Sequence, residues 1–163
     1  MNKIFWYILG GVVLAGVLWF AYYAISPLFI NIQVDEALPG REMTESPASA
    51  PSQEVSPIQS ATAPVVDTPA HPASGFVRLI ETGGKTYVRY EDYKTINGPD
   101  IYVYLAKDLD AKEFVDLGKV RATEGNINYE VPAGIDIDAY PYVLTWCKQF
   151  GVLFNYADLS DIY

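Results

Sequence analysis

With one cysteine in 163 residues, Cys147, the chain has no means of building an intrachain disulfide framework. That thiol is a packed small hydrophobe, a free reactive group, or half of an intermolecular bond. Histidine is equally scarce, with His71 alone. One histidine and one cysteine do not complete a zinc site unless carboxylates join them. A mixed Cys147–His71 ligand set for iron or copper is chemically open. Linear order sets no distance between the two, so the sequence assigns no metal and names no cofactor. Basic residues are also few, 11 Lys and Arg against 20 Asp and Glu, for a formal charge of −9. Neutralising phosphates requires clustered cations, so a nucleic-acid partner is excluded. No polybasic stretch attracts anionic lipid, and no Asn-x-Ser/Thr sequon occurs.

Familiar catalytic templates are missing too. Gly83-Gly84-Lys85-Thr86 resembles the end of a phosphate-binding loop, but position 79, where that motif needs glycine, is Leu79. The residues that follow alternate as a strand rather than entering a helix, so the glycines read as a hairpin turn. Asp108, Asp110, Glu113 and Asp116 form one acidic stretch, and Asp136 with Asp138 a second. Neither has calcium-loop spacing, and both read as solvated loops. No nucleophile elbow or paired catalytic acids stand out. The chain does not read as an autonomous enzyme.

What is present is unevenly distributed. From Ile4 to Ile25 there is no charge, about 22 residues or about 33 Å of helix, enough for a bilayer core. Trp6, Tyr7, Trp19, Tyr22 and Tyr23 lie near its two ends, where amphipathic rings favour the interface. The apolar run is too long for a signal peptide, and the bulky Tyr22-Tyr23-Ala24 stretch lacks a small-residue cleavage site. Residues 1–30 therefore read as an uncleaved single-pass anchor. Lys3 is the one charge before it, and acidic residues follow. The positive-inside rule then puts the N-terminus in the cytoplasm and the C-terminal part outside the cell membrane. Residues 31–70 read as a linker: Pro39, Pro47, Pro51, Pro57, Pro64 and Pro69 punctuate Ala, Ser, Thr, Glu and Gln. Such composition buries too little apolar surface to offset the entropy of ordering. Stretched at about 3.1 Å per residue, the segment reaches on the order of 100 Å.

Residues 71–163 have a globular composition. Runs rich in Val, Ile, Tyr, Phe and Trp occur at Phe76–Ile80, Thr86–Tyr90, Ile101–Leu105, Phe114–Val120, Ile127–Val131, Tyr142–Cys147 and Gly151–Phe154. Turn signals separate them, among them Gly83-Gly84, Asn97-Gly98-Pro99-Asp100 and Pro132-Ala133-Gly134. Ile135–Tyr140 has room for one helical turn. The pattern predicts an all-β domain, an antiparallel β-sandwich or small barrel. Ile101–Leu105 is apolar on both faces and belongs inside a sheet. In Tyr142–Cys147, alternation groups Tyr142, Leu144 and Trp146 against Val143, Thr145 and Cys147. Both sets suit burial, so periodicity leaves open which one points inward. Lys148, next to the thiol in sequence, points to the opposite face if the strand continues. Asp100 suits a turn in which its carboxylate accepts backbone N–H bonds.

Several of these segments together resemble one known family. His71-x-x-Ser74-Gly75 opens the match, followed by Gly98-Pro99-Asp100-x-Tyr102-Val103-Tyr104-Leu105. Leu117-Gly118 and Gly125-Asn126-x-Asn128-Tyr129-Glu130-x-Pro132 continue it. Tyr140-x-x-Val143-x-x-Trp146-Cys147-x-x-Phe150-x-Val152-x-Phe154-x-x-Ala157-x-Leu159 closes it. The stretch resembles the DM-thirteen domain, found in Skeletor-type animal proteins and in bacterial membrane-anchored proteins. The resemblance implies an all-β domain outside the membrane and an electron-transfer role, because animal relatives join it to haem-binding and membrane-cytochrome modules. It implies a redox protein partner and makes Cys147 the redox residue. The alternative is a non-catalytic surface module with an inert, packed Cys147, its tyrosines serving packing and ligand contact.

Overall fold

The computed structural model describes residues 3–40 and 57–162. The apolar N-terminal run forms helix α1 (Lys3–Ile25), with no residue buried against the rest of the chain. It is the one helix among the described residues long and apolar enough to cross a membrane. Pro27, lacking an N–H, ends it in a 3₁₀ turn over Ser26–Phe29.

Two β-sheets follow. The first runs in the order β1 (Gln33–Asp35), β9 (Glu124–Glu130), β6 (Lys85–Thr95), β5 (Ala73–Thr82) and β2 (Ile58–Gln59), with β3 (Ala63–Pro64) also on β5. The second is β4 (Val66–Asp67), β11 (Val152–Asp158), β10 (Tyr142–Cys147), β7 (Ile101–Ala106) and β8 (Phe114–Lys119). Pairings are antiparallel except β1 with β9, which is parallel. Every one of the seven β-rich runs is a strand, and a single 3₁₀ turn at Ile137–Ala139 occupies the expected place. The sheets enclose one main core. Val77, Leu79, Val88, Tyr90, Ile127 and Tyr129 come from the first sheet, and Val103, Leu105, Val143 and Ala157 from the second. Gly83 and Gly84, at φ 58° and 73°, form the left-handed two-residue turn that matches the twist of β5 and β6.

The outer face of the second sheet is covered as well, which explains why β7 and β10 are apolar on both sides. Tyr104, Ala106 and Leu144 point outward yet are buried beneath Leu109 and Ala111 of the β7–β8 connection. Phe114 stacks on Tyr104 at 4.1 Å.

Residues 33–37 and 57–69, inside the stretch expected as linker, carry sheet pairings and side-chain contacts; 41–56 lie outside the described residues. β1 and β2 sit on opposite edges of the same sheet. The described chain on either side of residues 41–56 is thus held by the same sheet, through β1 before them and β2 after them. Between the end of α1 and β1 there are residues 26–32 alone. Pro64 is accommodated because β3 is a two-residue edge piece.

Candidate functional site

Cys147 ends β10, paired with Ile101 on β7 and Val152 on β11. Its side chain shares the inward face with Val143 and Thr145 and is 1% exposed. Trp146 takes the outer face with Tyr142 and Leu144. The sulfur lies in a small apolar cluster with Ile101 and Phe154, against which Ile96 and Val120 pack. The turn beyond it is tight: the Gly151 N–H donates to the Cys147 carbonyl at 2.9 Å, with Gly151 at φ 62°. Lys148 lies just past the end of the strand, in the turn, and its side chain runs to the outer face of the sheet, away from the thiol. Its ammonium lies 3.7 Å from the Asp116 carboxylate and 4.7 Å above the centre of the Tyr102 ring. Asp100 engages Lys119 at 3.2 Å and its carbonyl accepts the Lys148 N–H. It anchors the start of β7 by charge pairing rather than by carboxylate-to-backbone bonds.

Phe154 covers the cysteine cluster. It is the extra residue of a bulge in β11, since Thr145 pairs with Asn155 while Trp146 pairs with Leu153. His71 stacks on Phe154 at 3.9 Å and 19°. Thr68 Oγ1 donates its proton to the Phe154 carbonyl at 2.9 Å, so His71 Nδ1–H donates to Thr68 Oγ1, also at 2.9 Å. Burial lowers the His71 pKa below its ordinary value. His71 and Cys147 thus share Phe154 as a neighbour, with the imidazole stacked flat and its Nδ1 occupied. This arrangement does not fit a joint ligand set. Among the described residues no group of three or more His, Cys, Asp and Glu side chains gathers to hold a metal.

Gly98 completes the packing. A Cβ there would approach Phe154 Cζ and Ile101 Cγ2 at 2.9 Å each, closer than side-chain carbons tolerate. Gly98→Ala therefore displaces the Phe154 ring from the cysteine cluster. The expected result is a loss of about 1–3 kcal/mol from overpacking, together with a several-fold faster modification of Cys147 by a small thiol reagent. A denaturation curve and a labelling time course on the folded protein check both.

Beside the thiol is a buried polar chain that the sequence pattern did not reveal. The Tyr90 hydroxyl donates to Thr145 Oγ1 at 3.4 Å, Thr145 donates to the Tyr93 oxygen at 2.9 Å, and Tyr93 donates to Asn155 Oδ1 at 3.2 Å. Asn155 Nδ2 then donates to Thr95 Oγ1 at 3.0 Å. The rings continue the chain: Tyr90 lies 4.4 Å from Tyr93 and 5.9 Å from Tyr129. Burial pushes the Tyr90 hydroxyl well above the ordinary tyrosine range, raises Tyr93, and takes Tyr129 up to about 12. These hydroxyls keep their protons at neutral pH and act as neutral donors.

The segment after α1 is fastened to this end and edge of the domain. Asn97 Nδ2 donates to the Ile30 carbonyl at 3.2 Å, and the Ile32 N–H donates to Thr123 Oγ1 at 2.9 Å. Glu36 is a hub. It pairs with Arg121 at 2.8 Å and accepts the Asn128 N–H at 2.8 Å, while the Glu36 and Ala37 carbonyls accept from the Arg89 guanidinium. Asn126 donates to Asp35 at 2.6 Å. The Gly125-Asn126-x-Asn128 motif thus receives β1. Two surface clefts lie along this seam, of about 640 and 500 Å³. Gln33, Asp35, Asp92 and Lys94 line the larger, and Cys147 lines neither.

The family model described as Electron transfer DM13 matches residues 66–159. No curated protein and no solved structure matches the chain.

Proposed function

This chain belongs to the electron transfer DM13 family, and from that premise we propose that it is a membrane-anchored electron-transfer module whose redox-active group is the Cys147 sulfur. The observation that carries the reading is the family match over 66–159, a span that contains the chain's sole thiol. In this reading α1 spans the cell membrane once. Lys3 stays in the cytoplasm, and the β domain stands outside, facing a redox protein partner. The sulfur is shielded from bulk solvent by Phe154 and Ile101. It is therefore reached by small oxidants or by electrons rather than by a bulky disulfide.

One experiment separates this from a packing role. Hydrogen peroxide converts a reactive thiol to sulfenic acid, releasing one water, and a dithiol reductant reverses the change. Full-length protein in vesicles is treated with peroxide and then with a small dithiol such as dithiothreitol. The expected result is a one-oxygen mass gain on the Cys147 peptide that reduction removes and that Cys147→Ala lacks. A thiol untouched until denaturant is added overturns the reading. That outcome favours a non-catalytic surface module with an inert core cysteine, for which the 1% exposure of Cys147 in an apolar cluster is the specific support.

A further inference from the structure

We infer that the Cys147 end of the sandwich is seated on the lipid bilayer itself, with the Phe150 tip of the β10–β11 turn entering the boundary between headgroups and acyl chains. The inference rests on the reading of α1 as a membrane anchor and deepens it.

Two independent observations carry it. The first is the length of chain between helix and domain. α1 ends at Ile25, and the domain already holds the Ile30 carbonyl through Asn97. Five residues at about 3.5 Å each span at most about 18 Å, and Pro27 with the 3₁₀ turn at Ser26–Phe29 shortens the reach further. Asn97 precedes Gly98, which packs on Phe154 and Ile101, the neighbours of Cys147. The end of the domain held near the membrane is thus the cysteine end, and the opposite end carries the β7–β8 connection.

The second observation is the turn itself. Gln149 Oε1 accepts the Tyr23 hydroxyl proton at 2.8 Å. The Phe150 ring meets Phe20 edge-on at 6.4 Å. Phe20 lies five residues before the helix end, about 7.5 Å back along the axis at about 1.5 Å per residue. Phe150 therefore lies level with the apolar span rather than above it. Trp19 stacks on Tyr23 at 6.1 Å at the same level, a pairing that suits the membrane interface. Around the helix exit, apolar side chains stand open: Phe150 is 46% exposed and Phe29 83%. The lipid that surrounds α1 is continuous with this patch and relieves its exposure to water.

The test uses full-length chain carrying Cys147→Ala and Phe150→Cys, spin-labelled at 150, in vesicles of phosphatidylcholine and phosphatidylglycerol. Asp110→Cys in the β7–β8 connection serves as the water-facing reference, and Gln149→Cys repeats the measurement one residue away. The expected result is oxygen-to-nickel-chelate accessibility several-fold higher at 150 than at 110. Equal nickel accessibility at the two positions overturns the seating while leaving the anchor intact. Shielding from both reagents also overturns it, since protein rather than lipid then covers the turn. Release of the chain from vesicles by alkaline carbonate overturns the anchor and the seating together.

Discussion

Gly125→Ala is expected to peel β1 from its sheet. Val34 pairs directly with Gly125, whose φ is +114°, and an added Cβ would overlap the Val34 carbonyl oxygen. Backbone blocks that position, so no side chain can rotate to make room. The substitution also places an L-residue in a region of φ that costs about 1–3 kcal/mol. Loss of β1 removes the Glu36 pair with Arg121 and the two carbonyls on the Arg89 guanidinium, a group 6% exposed. Together these lead to an expected loss of about 3–5 kcal/mol, since charged buried donors are costly to leave unpaired. The chain between α1 and the next strand would lengthen from residues 26–32 to the whole stretch before β2 at Ile58. Limited proteolysis should then cut within residues 26–40 many times faster than in the parent. Gly84→Ala is the control: its φ is also positive, at 73°, but a Cβ there meets open space. If both variants resist the protease as well as the parent, β1 is not held as described.

Asn155→Leu carries the second large effect. Asn155 is 1% exposed and is the link between Tyr93 and Thr95. Leucine has a similar volume, so the substitution isolates the polar loss from any cavity. The Tyr93 hydroxyl proton loses its acceptor, and Thr95 Oγ1 loses its donor. Each of the two buried groups left unpaired costs about 1–3 kcal/mol, so about 2–6 kcal/mol should be lost. That is a large share of the roughly 5–15 kcal/mol that holds a domain folded. Thr145→Val touches the same chain, and the two changes together should be clearly non-additive, because both alter the partners of Tyr93. Denaturant midpoints for the single and double variants test this. Additivity to within about 0.5 kcal/mol is the result expected of groups that do not share a network, and it would overturn the linkage.

Much of the domain was legible because its strands are long enough to show their character. β10 matches the run Tyr142–Cys147 end to end, and the Gly83-Gly84 turn needed no tertiary information. The four short strands β1–β4 escaped notice for a physical reason. Gln33–Asp35 and Ala63–Pro64 are held through backbone hydrogen bonds at a sheet edge, which ask nothing of side-chain pattern. Asn155 and Thr145 hid for a related reason. Alternation allows Thr145 to be buried, but it does not name the partners, Tyr93 and Thr95, that arrive from the other sheet to join it and Asn155 in one network. Arg89 behaves likewise, as its burial depends on Glu91, Asn128 and the Glu36–Ala37 carbonyls gathering around it.

The sequence by itself determined that a charge-free apolar helix comes first, that an all-β domain follows, and that one thiol lies in its aromatic-rich closing segment. These are local properties: hydropathy over a turn-by-turn window, β-branched and aromatic runs, glycine-marked turns, and a count of cysteines. Tertiary structure alone decided that Cys147 faces inward and Trp146 outward, since both faces of β10 are apolar and period two cannot choose between them. It alone decided that β1 and β2, on either side of residues 41–56, pair at opposite edges of one sheet. The pairing of β1 depends on whether Gly125, far along the chain, leaves space for the Val34 carbonyl, and no local pattern near either residue encodes the meeting.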